Sequence, residues 1–255
     1  MANTEKPRRL QSLLRLSHDL GNPQRPLAIL GEGNTSTRLV GDTFLVKASG
    51  CSLGTLTARD IVECRTDVLL ALFDRKGLSD TEIDRALMAS RVDRRGKKPS
   101  VEALLHAYFL TLPDVEFAGH THPLSINSLV CSPRAREFAT KRVFPDEVVC
   151  CDIESVFVPY TDPGLQLARA IRGRTQAFIK KHRRTPRVIL LENHGIITLG
   201  RTVEAVLVAT LMAEKAAQVW LGAAALGGPK FMTRRHMDRI AGRADEEVRR
   251  KALKM

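Results

Sequence analysis

The residues able to do chemistry in this chain are a few histidines, one glutamate and two small-residue loops. His120-Thr121-His122 sets two imidazoles two positions apart. On an extended segment that spacing puts both rings on one face, with Thr121 opposite. Pro123 follows at once and ends such a strand, which predicts a place at a sheet edge or rim. His194 comes after the apolar run Val188–Leu191 and before Gly195, again where a strand meets a turn. Three neutral imidazoles from two strand ends suit a borderline divalent cation such as zinc. The same spacing also suits polar strand-end residues bonded to nearby backbone. Glu102 sits in the first turn after Pro99-Ser100, with Ser100 as a helix cap. It is the carboxylate available as fourth ligand or general base, and an acid there also complements the helix dipole. His106, four residues on, shares the helix face of Glu102 and reads as its hydrogen-bonding support.

Two further stretches have the composition of oxyanion cradles. Gly33-Asn34-Thr35-Ser36 and Ser49-Gly50 combine glycines, whose backbone approaches a ligand closely, with hydroxyls and an amide. The helix start at Ser100 adds unpaired backbone N–H groups. Gly31-x-Gly33 is no dinucleotide fingerprint, because Ser36 stands where the third glycine belongs, and no phosphate-binding G-x-x-x-x-G-K-[ST] loop occurs.

These groups need a scaffold, and the chain is long enough to supply one. Its 255 residues are 44% apolar, and a chain of this length buries roughly 70–75% of its unfolded surface, without disulfides or a structural metal. One domain over residues 1–226 is expected, followed by a basic, helix-prone tail over 227–255 that packs at a subunit interface or is partly mobile. Apolar spacing predicts helices over Leu10–Leu20, Asp80–Ser90, from Ser100 onward, Pro163–Ile179 and Thr202–Leu221. Strands are predicted at Thr43–Val46, Phe117–Thr121 and Arg187–Leu191, with a β-favouring run over Val148–Val158. Gly31–Arg38 reads as a glycine-rich polar turn. Irregular alternation of the two element types predicts an α/β fold, a mixed sheet flanked by helices.

Lys and Arg number 40 against 28 Asp and Glu, a net charge of +12. That excess fits an anionic small substrate, a nucleic acid or an acidic membrane surface. Aromatics make up only 5% and do not interleave with the basic clusters, which argues against nucleic acid. The most apolar long stretch, Ala205–Leu226, is broken by Glu214, Lys215 and Gln218, so no membrane span is expected. The stretch Met1–Arg9 is polar and has no secretory core, and the five cysteines lack C-x-x-C spacing. Reduced thiols and a cytoplasmic location are the expectation.

Taken together, GEGNTSTR (31–38), ASG (48–50), PSVEALLH (99–106), PDVEFAGHTHP (113–123) and ENHG (192–195) resemble the class II aldolase/adducin family, in that family's order, across residues about 10 to 220. The resemblance implies a single α/β/α three-layer domain around a largely antiparallel sheet, assembled as a homotetramer with active sites between subunits. It implies that His120, His122 and His194 hold Zn2+ or another divalent metal such as Mn2+. Glu102 becomes the acid/base and a displaceable fourth ligand. Asn34, Ser49, Gly50 and Ser100 become the substrate and phosphate-binding residues. The implied reaction is carbon–carbon cleavage of a small anionic substrate: a ketose 1-phosphate would give dihydroxyacetone phosphate and an aldehyde through a metal-stabilised enediolate. Alternatives are a decarboxylase of a hydroxy-aromatic or sugar-derived acid and a non-enzymatic adducin-like binding module. The family's sugar-phosphate aldolases place a tyrosine after the H-x-H segment, but Ser125–Val149 contains none. Tyr160 is the tyrosine available for the leaving-group acid, with Asp146 and Glu147 as acidic alternatives.

Overall fold

Short β-prone runs separated by glycine and asparagine turns build one sheet. In the computed structural model, which describes residues 2–255 and side chains from Glu5 onward, the strands are β1 (Asn34–Arg38), β2 (Thr43–Lys47), β3 (Ile61–Arg65), β4 (Phe117–Thr121), β5 (Val156–Val158), β6 (Val188–Leu191) and β7 (Gly195–Gly200). Their order is β3-β2-β1-β4-β7-β6-β5, antiparallel throughout except for the β5–β6 pair. Met1, in the polar N-terminal stretch, lies outside the described residues.

The helices are α1 (Ala2–Leu20), α2 (Thr66–Leu70), α3 (Asp80–Ser90), α4 (Ala103–Phe109), α5 (Leu124–Val130), α6 (Ala135–Thr140), α7 (Pro145–Cys151), α8 (Leu165–His182), α9 (Val203–Ala224), α10 (Arg234–Ala241) and α11 (Ala244–Ala252). Strand alternation splits the core into two sides. Phe44, Val46, Ala118, Ile189, Leu191 and Ile197 pack on one side against α2, α3, α4 and α8. Val188, Leu190 and Ile196 pack on the other against α5, α7, α9 and α10, while Phe117 meets α1 and α9 there. The result is the expected single α/β/α domain. By length and composition alone α9 is apolar enough to cross a bilayer. Here Val206, Ala209, Ala213, Ala216 and Trp220 are buried, and the helix is core. The residues after 226 also stay with the domain: Met237 and Ile240 are buried, and α10 and α11 pack on α7.

Two readings of the sequence need correction, and a third is narrowed. The run Val148–Val158 is a strand only at its end, since Pro145–Cys151 is helical. Pro145 stands in the first turn with Asp146 and Glu147, a helix-starting pattern that outweighs the β-branched valines after it. The stretch 31–38 is a turn only to Gly33, and Asn34–Arg38 is a strand between two others. Its polar residues are buried because each has a partner: Thr35 bonds Ser17, Ser36 bonds His106, and Thr37 donates to the Glu116 carbonyl. Finally, β4 is the middle strand of the seven, so of the two expected places, sheet edge or rim, the histidine pair takes the rim, at the strand's end.

Candidate metal centre

The end of β4 meets the start of β1 and the turn from β6 into β7, and this junction collects the candidate residues. His120 pairs with Asn34 of β1 on one side and Ile197 of β7 on the other. His122 lies just past the strand, anchored by its N–H on the Leu27 carbonyl at 2.9 Å. His194 sits in the β6–β7 turn after Asn193, whose φ of 54° is a left-handed geometry that asparagine tolerates. Gly195 completes that turn. A Cβ there would come within 2.6 Å of the Thr121 carbonyl oxygen and 2.7 Å of the His122 ring, so only glycine lets the two segments close.

The three rings converge on their Nε2 atoms. His120 Nε2 lies 3.0 Å from His122 Nε2 and 3.3 Å from His194 Nε2. Glu102 Oε1 stands 3.6 Å from the Nε2 atoms of both His120 and His194. His120 Nδ1 is 2.9 Å from the Ile196 carbonyl, which only accepts, so Nδ1 carries the proton and Nε2 presents a lone pair. Burial pushes the His120 imidazole down to about 3, helped by its neighbour His122. His194 is likewise pushed down to about 4, mainly by burial. Both rings are therefore neutral at physiological pH, the form that binds metal.

This donor set fits a divalent cation. Imidazole nitrogens at about 2.0–2.1 Å from a tetrahedral ion stand about 3.3 Å apart, close to the spacing here, and a carboxylate oxygen faces the same point. His120, His122 and His194 form a cluster whose ligand atoms lie within 4.8 Å of one another.

The two loops rich in glycine and hydroxyl residues flank this centre. Ala48 bridges to Pro99, Ser49 N–H donates to the Lys98 carbonyl at 2.9 Å, and Ser100 N–H donates to the Lys47 carbonyl at 3.2 Å. The loop at Ser49 and Gly50 thereby runs beside the turn of Ser100 and Glu102. Gly50 has φ +74° with open space where a Cβ would stand, and the Gly31 turn lies alongside it. Asn34 faces Glu102 and His106. All the sequence-predicted residues but one are thus neighbours.

The exception is Tyr160. It is 55% exposed, and its hydroxyl donates to Asp162 at 3.0 Å. That bond pushes its phenol above the ordinary value. A backbone tie does link it to the centre's border, since Tyr160 N–H donates to Glu192 two residues before His194. The acidic alternatives are occupied elsewhere. Asp146 pairs with Arg249 at 2.6 Å, and Glu147 is buried, accepting from Val143 N–H at 2.8 Å.

Two residues escaped the sequence reading. Lys47 is only 3% exposed, and its ammonium donates to the carbonyls of Gly31 and Cys51 at 3.0 and 2.5 Å, tying the two loops together. Burial lowers its pKa, opposed by the nearby charges, Glu102 among them. The signal was a lone lysine closing the apolar strand Phe44-Leu45-Val46. Glu32 stands 3.8 Å from His122 Nδ1 and accepts from Ile29 N–H, an outer partner for that ring.

The model of the Class II Aldolase and Adducin N-terminal domain family matches residues 11–221. Among solved structures, the N-terminal Class II Aldolase domain of a conserved protein from Thermoplasma acidophilum is 25% identical, with TM-score 0.67, over 83% of this chain and 93% of that one. L-fuculose-1-phosphate aldolase from Thermus thermophilus is 18% identical with TM-score 0.61, over 88% and 99% of the two chains. A sugar-phosphate aldolase from Thermotoga maritima is 16% identical with TM-score 0.67, over 88% and 98%. These last two show the shared fold. A Bacillus subtilis (strain 168) protein named uncharacterized oxidoreductase YuxG is 29% identical over 206 residues, 78% of this chain. This chain spans 27% of that protein's length.

Proposed function

Because the chain belongs to the class II aldolase and adducin N-terminal domain family, we propose that it is a divalent-metal-dependent lyase that cleaves a carbon–carbon bond in a small anionic substrate, a ketose 1-phosphate before others. The observation that carries this reading is the convergence of three imidazole Nε2 atoms on one point with a carboxylate oxygen beside it. Three imidazoles with a displaceable carboxylate favour a catalytic site over a non-enzymatic binding module.

His120, His122 and His194 would hold the cation, Zn2+ or Mn2+, with Glu102 at the fourth position before substrate arrives. When bound, the ion supplies Lewis-acid stabilisation of negative charge developing on substrate oxygens. Glu102 moves a proton to and from the carbon beside the substrate carbonyl. The remote phosphate lies against Ser49, Gly50 and Ser100, over the buried Lys47 ammonium, which fixes the reacting bond near Glu102. Exposed apolar side chains lie within a few positions of the site residues in the chain: Ile29, Leu30, Val101 and Leu124. We propose a homotetramer with its active sites between subunits, in which these side chains would meet the neighbouring subunit.

A second reading rests on Tyr160. Its hydroxyl is engaged by Asp162 in solvent, so Tyr160 is not placed as the acid for the aldehyde-side oxygen. A decarboxylase on the same scaffold needs no such acid. The test is a panel assay on Zn2+- and Mn2+-loaded protein. Aldehyde release from L-fuculose 1-phosphate and related ketose phosphates supports the aldolase, and carbon dioxide release from hydroxy acids supports the decarboxylase. Metal analysis should give about one divalent ion per chain, lost in His122→Ala. A wild-type protein that binds no divalent ion overturns both readings.

A further inference from the structure

Beside the imidazole triad runs a string of buried polar groups, two of which, Ser36 and His106, neither metal nor anion binding accounts for. Ser36 and His106 have no exposed surface, and Asn34 has 2%. Ser36 Oγ lies 2.6 Å from His106 Nδ1. His106 Nε2 meets Asn34 Oδ1, and Asn34 Nδ2 meets Glu102 Oε2. Asn34 and Ser36 are two apart on β1 and share a face, so one strand presents both to a single ring on α4.

With Glu102 ionised, one arrangement of protons satisfies every bond. An ionised Glu102 only accepts, so the Asn34 amide nitrogen must donate to it. Asn34 Oδ1 then faces His106 and can only accept, so His106 carries its proton on Nε2. The neutral ring leaves Nδ1 as an acceptor, and the Ser36 hydroxyl donates to it. The string is directional, running from Ser36 through His106 and Asn34 to Glu102.

The geometry points to a positioning relay: Ser36 and His106 lock the Asn34 amide so that it holds Glu102 by Oε2 and leaves Oε1 as the working oxygen. This rests on the reading of Glu102 as the acid/base. Oε1 is the oxygen that faces His120 and His194. A carboxylate free to rotate would exchange its two oxygens and spend part of its time misaligned. Here the choice is made two bonds away, by a ring that touches neither metal site nor solvent. Low polarity around the string strengthens each link and makes a broken link costly. The Asn34 amide keeps a second N–H for the substrate, so holding Glu102 does not conflict with a substrate contact.

The relay is tested first on metal-free protein labelled with 15N-histidine, by long-range 1H–15N NMR. His106, assigned by its loss from the His106→Gln spectrum, is expected as the Nε2–H tautomer. An Nδ1–H tautomer reverses the Asn34 amide and overturns the relay. The second test is kinetic, on Zn2+-loaded protein with L-fuculose 1-phosphate. Asn34→Asp is expected to lower kcat about 10- to 100-fold with KM changed less than about threefold. His106→Gln, which keeps a donor, should recover part of what His106→Leu loses. An unchanged kcat in Asn34→Asp, or an effect confined to KM, overturns the proposal. Failure of the wild-type protein to bind Co2+ alone, followed by its visible absorption, would instead overturn the metal-lyase reading, while the tautomer would still decide the relay.

Discussion

Gly195→Ala places a single methyl group against the candidate metal centre without replacing any proposed ligand. Gly195 is not among the residues with positive φ, so alanine meets no backbone strain there. Its Cβ would stand 2.7 Å from the His122 ring and 2.6 Å from the Thr121 carbonyl oxygen, with His120 Cε1 at 3.5 Å. Ordinary contact begins near 3.4 Å, so His122 and the end of β4 must retreat by about 0.7 Å. Metal–ligand distances tolerate about 0.2 Å. Overpacking of this kind costs about 1–3 kcal/mol of stability. The larger effect falls on metal affinity, for which we expect a loss of about 100-fold. At a Zn2+ concentration of about 100 times the wild-type Kd, metal stabilises the wild type by about 2.7 kcal/mol, and the variant by about 0.4 kcal/mol. Urea melts with and without Zn2+, together with competition against a chromophoric chelator, measure both quantities. A variant that folds and binds Zn2+ as tightly as wild type would refute the placement of His122 in the centre.

Three further outcomes are expected. Glu102→Gln should keep about one bound Zn2+ yet lose about 10²–10⁴ in kcat; retained turnover removes Glu102 from proton transfer. Lys47→Met deletes the ammonium joining Gly31 and Cys51. We expect inorganic phosphate, read by competitive inhibition, to bind about 10- to 100-fold more weakly, the loss of a charged hydrogen bond. Unaltered phosphate inhibition would dismiss Lys47 from the anion site. The third concerns acid. Burial holds His106 and His120 near 3 and His194 near 4, while in the unfolded chain each titrates near 6.5. Between pH 6.5 and about 4 the unfolded chain binds more protons, so stability of the metal-free protein falls as pH is lowered through that window. Each fully shifted ring contributes about 1.4 kcal/mol per pH unit. Urea melts at pH 7.5, 6 and 5 should show the decline, and a flat profile would mean that these rings are solvated.

Much of the site was legible in the residues themselves. His120, His122, Glu102 and His106 declare themselves by local periodicity, because two-residue and four-residue spacings settle which side chains share a face. His194 and the glycine loops were legible as turn chemistry. The strand of buried polar residues from Asn34 to Thr37 was not, since Ser and Thr beside glycines look like a turn until their partners on α1, α4 and β4 are in place. Helix α7 was obscured in the opposite way, its valines carrying a strand signature that the proline and acids ahead of them overrule.

Sequence alone therefore determined the kinds of donor present and their local directions, for those depend on residue type and backbone period. Tertiary structure decided that His120 turns Nε2 toward the other rings, that Glu102 turns Oε1 toward them, that Lys47 is buried under the loops, and that Tyr160 stays in solvent. Each of these depends on what lies across a sheet or helix from the residue, over distances along the chain that no local pattern spans.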